Sequence, residues 1–277
     1  MATPPQTFQL DRTIFNQDLY SKIRDFWYNG SPVDSTTPNV SLSKRWWGLG
    51  ATEEEKTTFD GECKKRFGQA LESIGPSNLS LPPFKDHEGD LANAETLAAP
   101  FLTEVTDAQR EDAKLGAETL LSLILLLDQV TRNTHRSQKG LRLVYCHYDR
   151  LSLALLRSSM MLQPNPVQHP SWRGKSAAQT WLLMPFIHTE YAPALVVQAQ
   201  WLKALRDECE ELDNRADIAY VGKLEEAHAA HLRPMERFGR YPHRNEALGR
   251  ASTPDEEEYL KTANTFGVKQ TRSKDKL

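Results

Sequence analysis

The stretch LLLDQVTRNTHR, residues 125–136, decides the fold and raises the question of function. Residues 121–127 are apolar at all but one position, which predicts a helix that is buried on every side. This helix ends in an acid, an amide and an arginine, namely Asp128, Gln129 and Arg132. Because Asp128 and Arg132 are four residues apart, they lie on one face. Burial of two charges is costly, so the pair indicates either an ion pair that fixes helix register or a polar site.

The composition is typical of a soluble globular protein. The chain has 277 residues, of which 39% are hydrophobic and 26% charged, and its net charge is −3. This charge gives no overall attraction to nucleic acid. Three cysteines without a C-x-x-C pair fit reduced thiols. The N-terminal residues do not resemble a secretory signal, and no apolar stretch approaches the roughly 20 residues of a membrane span. We therefore expect a cytoplasmic protein without a membrane partner.

Helical periodicity and capping signals run along the chain, and no stretch has the alternation of a strand. The pattern predicts an all-α fold in which residues 1–265 form a single helical domain and residues 266–277 a disordered basic tail. Two stretches, 29–43 and 76–105, are predicted to be loops because they are polar or rich in proline. The predicted helices cover residues 11–28, 52–75, 107–136, 140–161, 176–213 and 217–234, and a last helix begins at Thr253. We expect those at 107–136 and 176–213 to pack together at the centre.

A second polar cluster interrupts the apolar stretch WLLMPFIHTEYAPALVVQ, residues 181–198. It consists of His188, Thr189 and Glu190, between two prolines. Each proline removes a donor and frees the carbonyl four residues earlier, which predicts a bent helix suited to hold a cation or an amine. The alternative is a kinked structural helix with a satisfied core histidine. If the two central helices pack together, the first polar cluster meets this one.

Arginines form a third cluster near the C-terminus, where aromatic rings alternate with them. Arg237, Arg240 and Arg244 precede or follow helix-breaking Gly239 and a proline, so we expect them on a structured loop. Arginines between rings suit contacts with phosphates and bases, and Arg136 belongs to a second basic run. These four arginines are therefore candidate RNA-binding residues. The alternative is that they pair with carboxylates inside the protein. No H-E-x-x-H or C-x-x-C motif accompanies the histidines, so no metal site is expected.

Three stretches together resemble one family, known as domain of unknown function 924. They are LLLDQVTRN at 125–133, MPFIHTE at 184–190 and RFGRYPHRNEALGR-x-ST at 237–253. The segments DFWY and RWWGL near the N-terminus are also similar to the opening of that family. The resemblance implies an all-helical fold with tetratricopeptide-like helix packing. It also suggests a fungal branch associated with arginine-containing cyclodipeptide synthases, which make a cyclic dipeptide from aminoacyl-tRNA.

The resemblance implies a catalytic role for the polar clusters. Formation of a diketopiperazine needs a base for the attacking amine and donors for the tetrahedral oxyanion. His188 is the candidate base, oriented by Asp128 or Glu190. Asn133 or Arg132 is the candidate donor to the oxyanion.

The same resemblance implies how substrate is held. An arginyl group needs a carboxylate, which Asp128 or Glu190 supplies, with Gln129 and Thr189 as further contacts. The partners are then arginyl-tRNA and a second charged tRNA, and no cofactor is required. Two alternatives remain open. One is an RNA-independent hydrolase or small-molecule transferase that uses the same pocket, and the other is a non-catalytic helical scaffold that binds a peptide.

Overall fold

The computed structural model describes residues 8–268 and residue 270. In this part of the chain all regular structure is helical and no strand is present, which confirms the predicted all-α single domain. No helix in the described residues combines the length and the apolar character that crossing a membrane requires.

The helices are numbered in chain order. The first seven are α1 (Gln17–Trp27), α2 (Val40–Trp47), α3 (Glu53–Ser73), α4 (His87–Ala92), α5 (Ala94–Glu111), α6 (Ala113–Ile124) and α7 (Thr131–Thr134). The next seven are α8 (Gln138–Leu143), α9 (Asp149–Ser159), α10 (Ser176–Ile187), α11 (Ala192–Glu211), α12 (Arg215–Phe238), α13 (Asn245–Leu248) and α14 (Pro254–Leu260). Two π-helical segments, Leu125–Val130 and Val144–Tyr148, connect α6 to α7 and α8 to α9.

The capping signals place two helix starts correctly. The Thr52 hydroxyl accepts from the Glu55 amide, and the Glu55 carboxylate accepts from the Thr52 amide in return. Thr253 and Glu256 form the same reciprocal pair at the start of α14. Such capping boxes satisfy amides that the first turn leaves unpaired. The predicted loop at 29–43 is only partly correct, because α2 begins within it.

The predicted loop at residues 76–105 is wrong over its second half, which contains α4 and most of α5. Its proline content suggested a loop, yet only Pro100 lies inside a helix. The packing of α5 explains why this proline is tolerated. Its buried face, which includes Leu97, Phe101 and Val105, packs between α6 and α9. The predicted helix at 107–136 is correspondingly divided, because Asp112 caps the start of α6.

Two long helices, each interrupted by a π segment, form the centre. Residues 113–134 and 138–159 are helical throughout, and the two π segments contact each other. A π turn widens the helix by one residue and is frequent at functional sites. α10 packs against both α6 and α9, which confirms that the helices predicted at 107–136 and 176–213 meet at the centre.

The helix predicted at 176–213 is two helices joined by a short turn. α10 ends at Ile187 and α11 begins at Ala192, so Pro193 lies in the first turn of α11. Proline at this position costs no helical hydrogen bond. The Thr189 carbonyl, predicted to be free, accepts from the Tyr191 amide at 2.8 Å. The polar cluster therefore lies in a tight turn rather than on a bent helix.

The folded domain continues beyond residue 265, where the tail was expected to begin. The Phe266 ring stacks on His231 at 3.8 Å between ring centroids. The Gln270 side chain donates to the His243 carbonyl at 3.0 Å. The remainder of the predicted tail, Lys269 and residues 271–277, lies outside the described residues.

Candidate active site

The two predicted polar clusters meet in a pair formed by Asp128 and His188. Asp128 lies in the first π segment and is fully buried, whereas His188 follows the last turn of α10. The His188 Nδ1 lies 2.9 Å from both carboxylate oxygens of Asp128. The Gln129 side chain donates to the same carboxylate at 2.5 Å. The expected juxtaposition of the two clusters is therefore present.

The charges around this pair define its protonation. Burial alone raises the pKa of Asp128, but His188 and Arg132 together bring it below the ordinary value. Burial and the charge of Arg132 lower the pKa of His188. At neutral pH the ring is thus uncharged beside an ionised carboxylate. Because a carboxylate only accepts, Nδ1 carries the proton and Nε2 is left as a free base.

Arg132 is bound mainly by a carboxylate that the sequence did not single out. Its guanidinium forms a bidentate pair with Asp149 at 2.8 and 3.0 Å, and it donates to the Asp128 carbonyl at 2.8 Å. The carboxylate of Asp128 is farther away, at 3.7 Å. Asp149 follows the second π segment, so the facing π segments place the two acids on either side of Arg132. Burial acts to lower the pKa of Arg132, but the two carboxylates raise it above its ordinary value.

Glu190 belongs to a separate ion pair. Its carboxylate binds the Arg250 guanidinium through two hydrogen bonds of 2.7 and 2.9 Å and accepts from the Tyr241 amide at 2.6 Å. Burial acts to raise the pKa of Glu190, but the hydrogen bonds from Arg250 and the charge of Arg244 lower it. The turn after α10 is thereby attached to the C-terminal arginine-rich segment.

A cavity of about 190 Å³ opens beside these groups. A water molecule needs about 10–15 Å³ by this measure, so the space suits a small organic molecule. Its polar wall includes His188, Thr189, Glu190, Asp149, Arg244 and Arg250, and its apolar wall includes Phe84, Leu91, Leu153 and Leu248. Among residues 8–268 and 270, no hydrogen-bond partner occupies the His188 Nε2. The unprotonated Nε2 of His188 is therefore available to a molecule in the cavity.

Several predicted site residues do not line this cavity. Asp128 and Arg132 lie behind His188 and Asp149, respectively. Asn133 donates to the Gln129 carbonyl and accepts from Arg136, away from the cavity wall. The structure therefore offers no direct oxyanion contact from Asn133 or Arg132.

The predicted substrate contacts are also engaged within the protein. Asp128 is occupied by His188, and Glu190 is occupied by Arg250. Thr189 lines the cavity, but its hydroxyl donates to the Pro185 carbonyl at 2.8 Å. A guanidinium group would have to displace an existing partner to reach either carboxylate.

The four predicted RNA-binding arginines do not form one exposed surface. Arg136 and Arg240 make bidentate pairs with Asp60 and Glu256, respectively. Arg237 lies on α12 rather than on a loop, and it pairs with an exposed aspartate at 3.4 Å. Arg244 is buried and lines the cavity. This distribution favours the alternative in which the arginines pair with internal carboxylates, and RNA binding stays a prediction.

Three residues of the site were missed. Asp149 is the single acid within a basic run, which is a weak signal that it neutralises an arginine. Arg250 lies in the C-terminal arginine-rich segment, and nothing in the sequence distinguishes it from its neighbours. Cys146 is exposed and lines the cavity, whereas the other two cysteines are buried. In the described part of the chain no group of three or more His, Cys, Asp or Glu side chains is placed to hold a metal ion.

The comparisons with known proteins identify the family. The model for "bacterial protein of unknown function (DUF924)" matches residues 23–264, which is most of the chain. The chain belongs to this family. No curated protein matches it. A search of solved structures matches a protein of unknown function from Agrobacterium tumefaciens. Its sequence is 23% identical to this chain, and the two structures superpose with a TM-score of 0.50. The match covers 90% of this chain and 98% of that one, and it shows a shared fold. Neither comparison supports the narrower fungal branch.

Proposed function

We propose that this DUF924 protein is an enzyme in which His188 acts as general base on a small molecule bound in the cavity. The observation that carries the proposal is the orientation of the His188 ring. Nδ1 is held by both oxygens of Asp128, the residue lines the cavity, and Nε2 has no hydrogen-bond partner in the part of the chain that the structure describes. A buried acid that fixes the tautomer of a histidine is the arrangement that general-base catalysis requires.

The proposed chemistry is the activation of a nucleophile. Nε2 accepts a proton from a water, alcohol or amine in the cavity, and Asp128 stabilises the imidazolium that results. The nucleophile then attacks a substrate carbonyl, and His188 returns the proton to the leaving group. This reaction class corresponds to an RNA-independent hydrolase or small-molecule transferase. The guanidinium of Arg244 is a candidate for binding negative charge on the substrate.

Cyclodipeptide synthesis is a narrower version of the same proposal. The feature that favours it is a base beside a cavity, since an amine must lose a proton as it attacks an ester. It also requires a carboxylate for the arginyl side chain and a surface for tRNA. The carboxylates of Asp128 and Glu190 are engaged, as are Arg136 and Arg240. We therefore place the RNA-independent reaction first.

The proposal is tested by comparing small molecules from cells that express wild-type protein, His188→Gln or His228→Gln. His228 is the matched control because it bonds Gln198 and does not line the cavity. A product or a depleted substrate should appear in mass spectra with the wild type and the control, and it should be absent with His188→Gln. Identical spectra for all three, with equal amounts of folded protein, would remove His188 from catalysis.

The narrower proposal has its own tests. An arginine-containing diketopiperazine that depends on His188 would select it. Binding of charged tRNA should weaken as salt rises, with a slope of about −0.7 to −0.9 per phosphate contact on logarithmic axes. Charge reversal of Arg237 and Arg240 together should reduce that slope. Absence of any tRNA binding would leave the RNA-independent enzyme.

A further inference from the structure

Arg244 is a buried arginine whose side chain makes few polar contacts with the described residues. Its side chain is only 7% exposed, and its guanidinium lies 4.2 Å from the ring centroid of Tyr145 and 5.0 Å from that of Tyr241. The nearest carboxylate oxygen, on Asp149, is 3.6 Å away. In the described chain its Nε is buried without a hydrogen-bond partner. A guanidinium has five donors. Within the described residues those of Arg244 have only the 3.6 Å ion pair with Asp149, so the group can bind an acceptor that enters the cavity.

The other arginines of the cluster differ from Arg244. Arg132, Arg150 and Arg250 each make a bidentate pair with a carboxylate, respectively Asp149, Asp90 and Glu190. Arg244 also lines the cavity, beside the residue that carries the free Nε2. The two rings hold its planar group in a fixed orientation, which reduces the entropy lost when it binds a ligand.

We propose that Arg244 binds the carboxylate of the substrate, and that the cavity takes a small monocarboxylic acid or its derivative with an apolar body. The bound acid is called a substrate here because the proposal rests on the proposed function. A carboxylate matches the planar fork of a guanidinium, and bidentate pairing gives both strength and orientation. The apolar wall, which includes Leu91, Leu153 and Leu248, then contacts the body of the molecule.

The charges of the cluster balance, so a ligand with one negative charge is opposed less than a ligand with two. Four arginines face four carboxylates here: Arg132, Arg150, Arg244 and Arg250 against Asp90, Asp128, Asp149 and Glu190. Asp149 and Glu190 both border the cavity. A phosphate dianion would bring two further negative charges next to these two acids, and like charges in a poorly solvated site repel strongly. A carboxylate brings only one.

The test measures the direct binding of three fluorinated probes by ¹⁹F NMR. 4-Fluorobenzoate carries the proposed carboxylate, 4-fluorobenzamide is its uncharged analogue, and 4-fluorophenyl phosphate is the dianionic alternative. Wild type should bind the benzoate at least about tenfold more tightly than the amide, as expected for a charge-assisted pair. Arg244→Gln should abolish this preference by weakening benzoate binding about 10- to 100-fold. Arg244→Lys keeps the charge without the planar fork, so its affinity for benzoate should lie between those of wild type and Arg244→Gln.

The matched control is Arg66→Gln, because Arg66 also stacks on an aromatic ring, Phe26, but lies outside the cavity. Thermal melts exclude unfolding as the cause of lost binding, and Arg244→Lys provides a second variant if Arg244→Gln does not fold. Equal binding of benzoate and benzamide, unchanged benzoate binding by folded Arg244→Gln, or tighter binding of the phosphate would each overturn the proposal. The two proposals fail separately. If wild type binds benzoate through Arg244 but His188→Gln does not change the mass spectra, the proposed function fails and the carboxylate site stands.

Discussion

Replacing either acid beside Arg132 by its amide separates an orienting role from an ion-pairing role. Asp128→Asn and Asp149→Asn each preserve volume and remove one negative charge. They differ because Asp149 holds Arg132 at 2.8 and 3.0 Å, whereas the carboxylate of Asp128 is 3.7 Å from Arg132 and holds His188. The first change therefore perturbs a histidine, and the second leaves a partly buried arginine with only the more distant carboxylate of Asp128.

The magnitudes follow from these contacts. In Asp128→Asn, Arg132 keeps its bidentate partner, and the loss is a charge-assisted hydrogen bond to His188, about 1.5–3 kcal/mol. In Asp149→Asn, Arg132 keeps only weakened contacts and Arg244 loses its nearest acid, so the cost is about 3–5 kcal/mol. At roughly 2–4 °C per kcal/mol for a chain of this size, the melting temperatures should differ by about 5 °C.

The orienting role has a readout that needs no substrate. Long-range ¹H–¹⁵N NMR on wild type at pH 7 should show His188 with the proton on Nδ1 and none on Nε2. An amide at position 128 can donate to Nδ1, which favours the tautomer with the proton on Nε2. The signals are assigned by their absence in His188→Gln. Once a substrate is known, turnover by Asp128→Asn should fall by up to about 10⁴-fold, as it does when a buried acid behind a catalytic histidine is amidated.

Two results would refute this reasoning. If Asp128→Asn keeps the wild-type tautomer, stability and turnover, the carboxylate does not orient His188. If it is as unstable as Asp149→Asn, then Asp128 serves chiefly as a partner for Arg132. The second result would favour the simple interpretation of the opening stretch, in which the acid and the arginine fix the register of a buried helix.

Three further predictions concern packing, pH and access to the cavity. A methyl group at Gly116 would lie 2.6 Å from a side-chain carbon of α5, so Gly116→Ala should lower the free energy of unfolding, measured by urea melts, by about 1–3 kcal/mol. The control is Gly61→Ala, which has open space around its Cβ and should raise that free energy by about 0.5–1 kcal/mol. Burial lowers the pKa of His231 to about 3 and of His243 to about 2, so the unfolded chain takes up protons first as the pH falls. Stability should be complete above about pH 6.5 and should decrease below it by up to about 1.4 kcal/mol per pH unit for each histidine, and urea melts that do not change between pH 7.5 and 5 would contradict this. Cys146, the exposed cysteine in the cavity wall, should react with a maleimide before the two buried cysteines, and 4-fluorobenzoate should slow that reaction; equal rates with and without the ligand would count against its binding there.

The fold could be predicted where apolar spacing and caps dominate, and not where tertiary packing overrides local signals. The capping boxes at Thr52 and Thr253 predict where their helices begin. The helix around Pro100 could not be predicted, because its stability comes from packing between two other helices. The π segments at Leu125–Val130 and Val144–Tyr148 were also missed, since their apolar residues look the same in an α-helix.

The meeting of Asp128 and His188 could be predicted because each interrupts a stretch that must be buried. The ion-pair partner of Arg132 could not be predicted, because it depends on which of several acids the fold brings closest. Arg132 was expected to pair with the acid four residues earlier, as on a surface helix. The π segment directs Asp128 toward α10 instead, and the facing π segment supplies Asp149.

The polar end of the buried helix has a physical explanation in these two neighbouring segments. Asp128 accepts hydrogen bonds from Gln129 and His188, and its carboxylate lies 3.7 Å from the guanidinium of Arg132. Arg132 in turn holds Asp149, whose second oxygen is the nearest acceptor to Arg244. One chain of contacts therefore runs from the helix interior to both proposed working groups in the cavity, the Nε2 of His188 and the guanidinium of Arg244. A stable core does not need such a chain, because apolar residues of similar volume are as stable as a buried ion pair. Its cost is understandable if it positions a base and an anion-binding group around one small molecule.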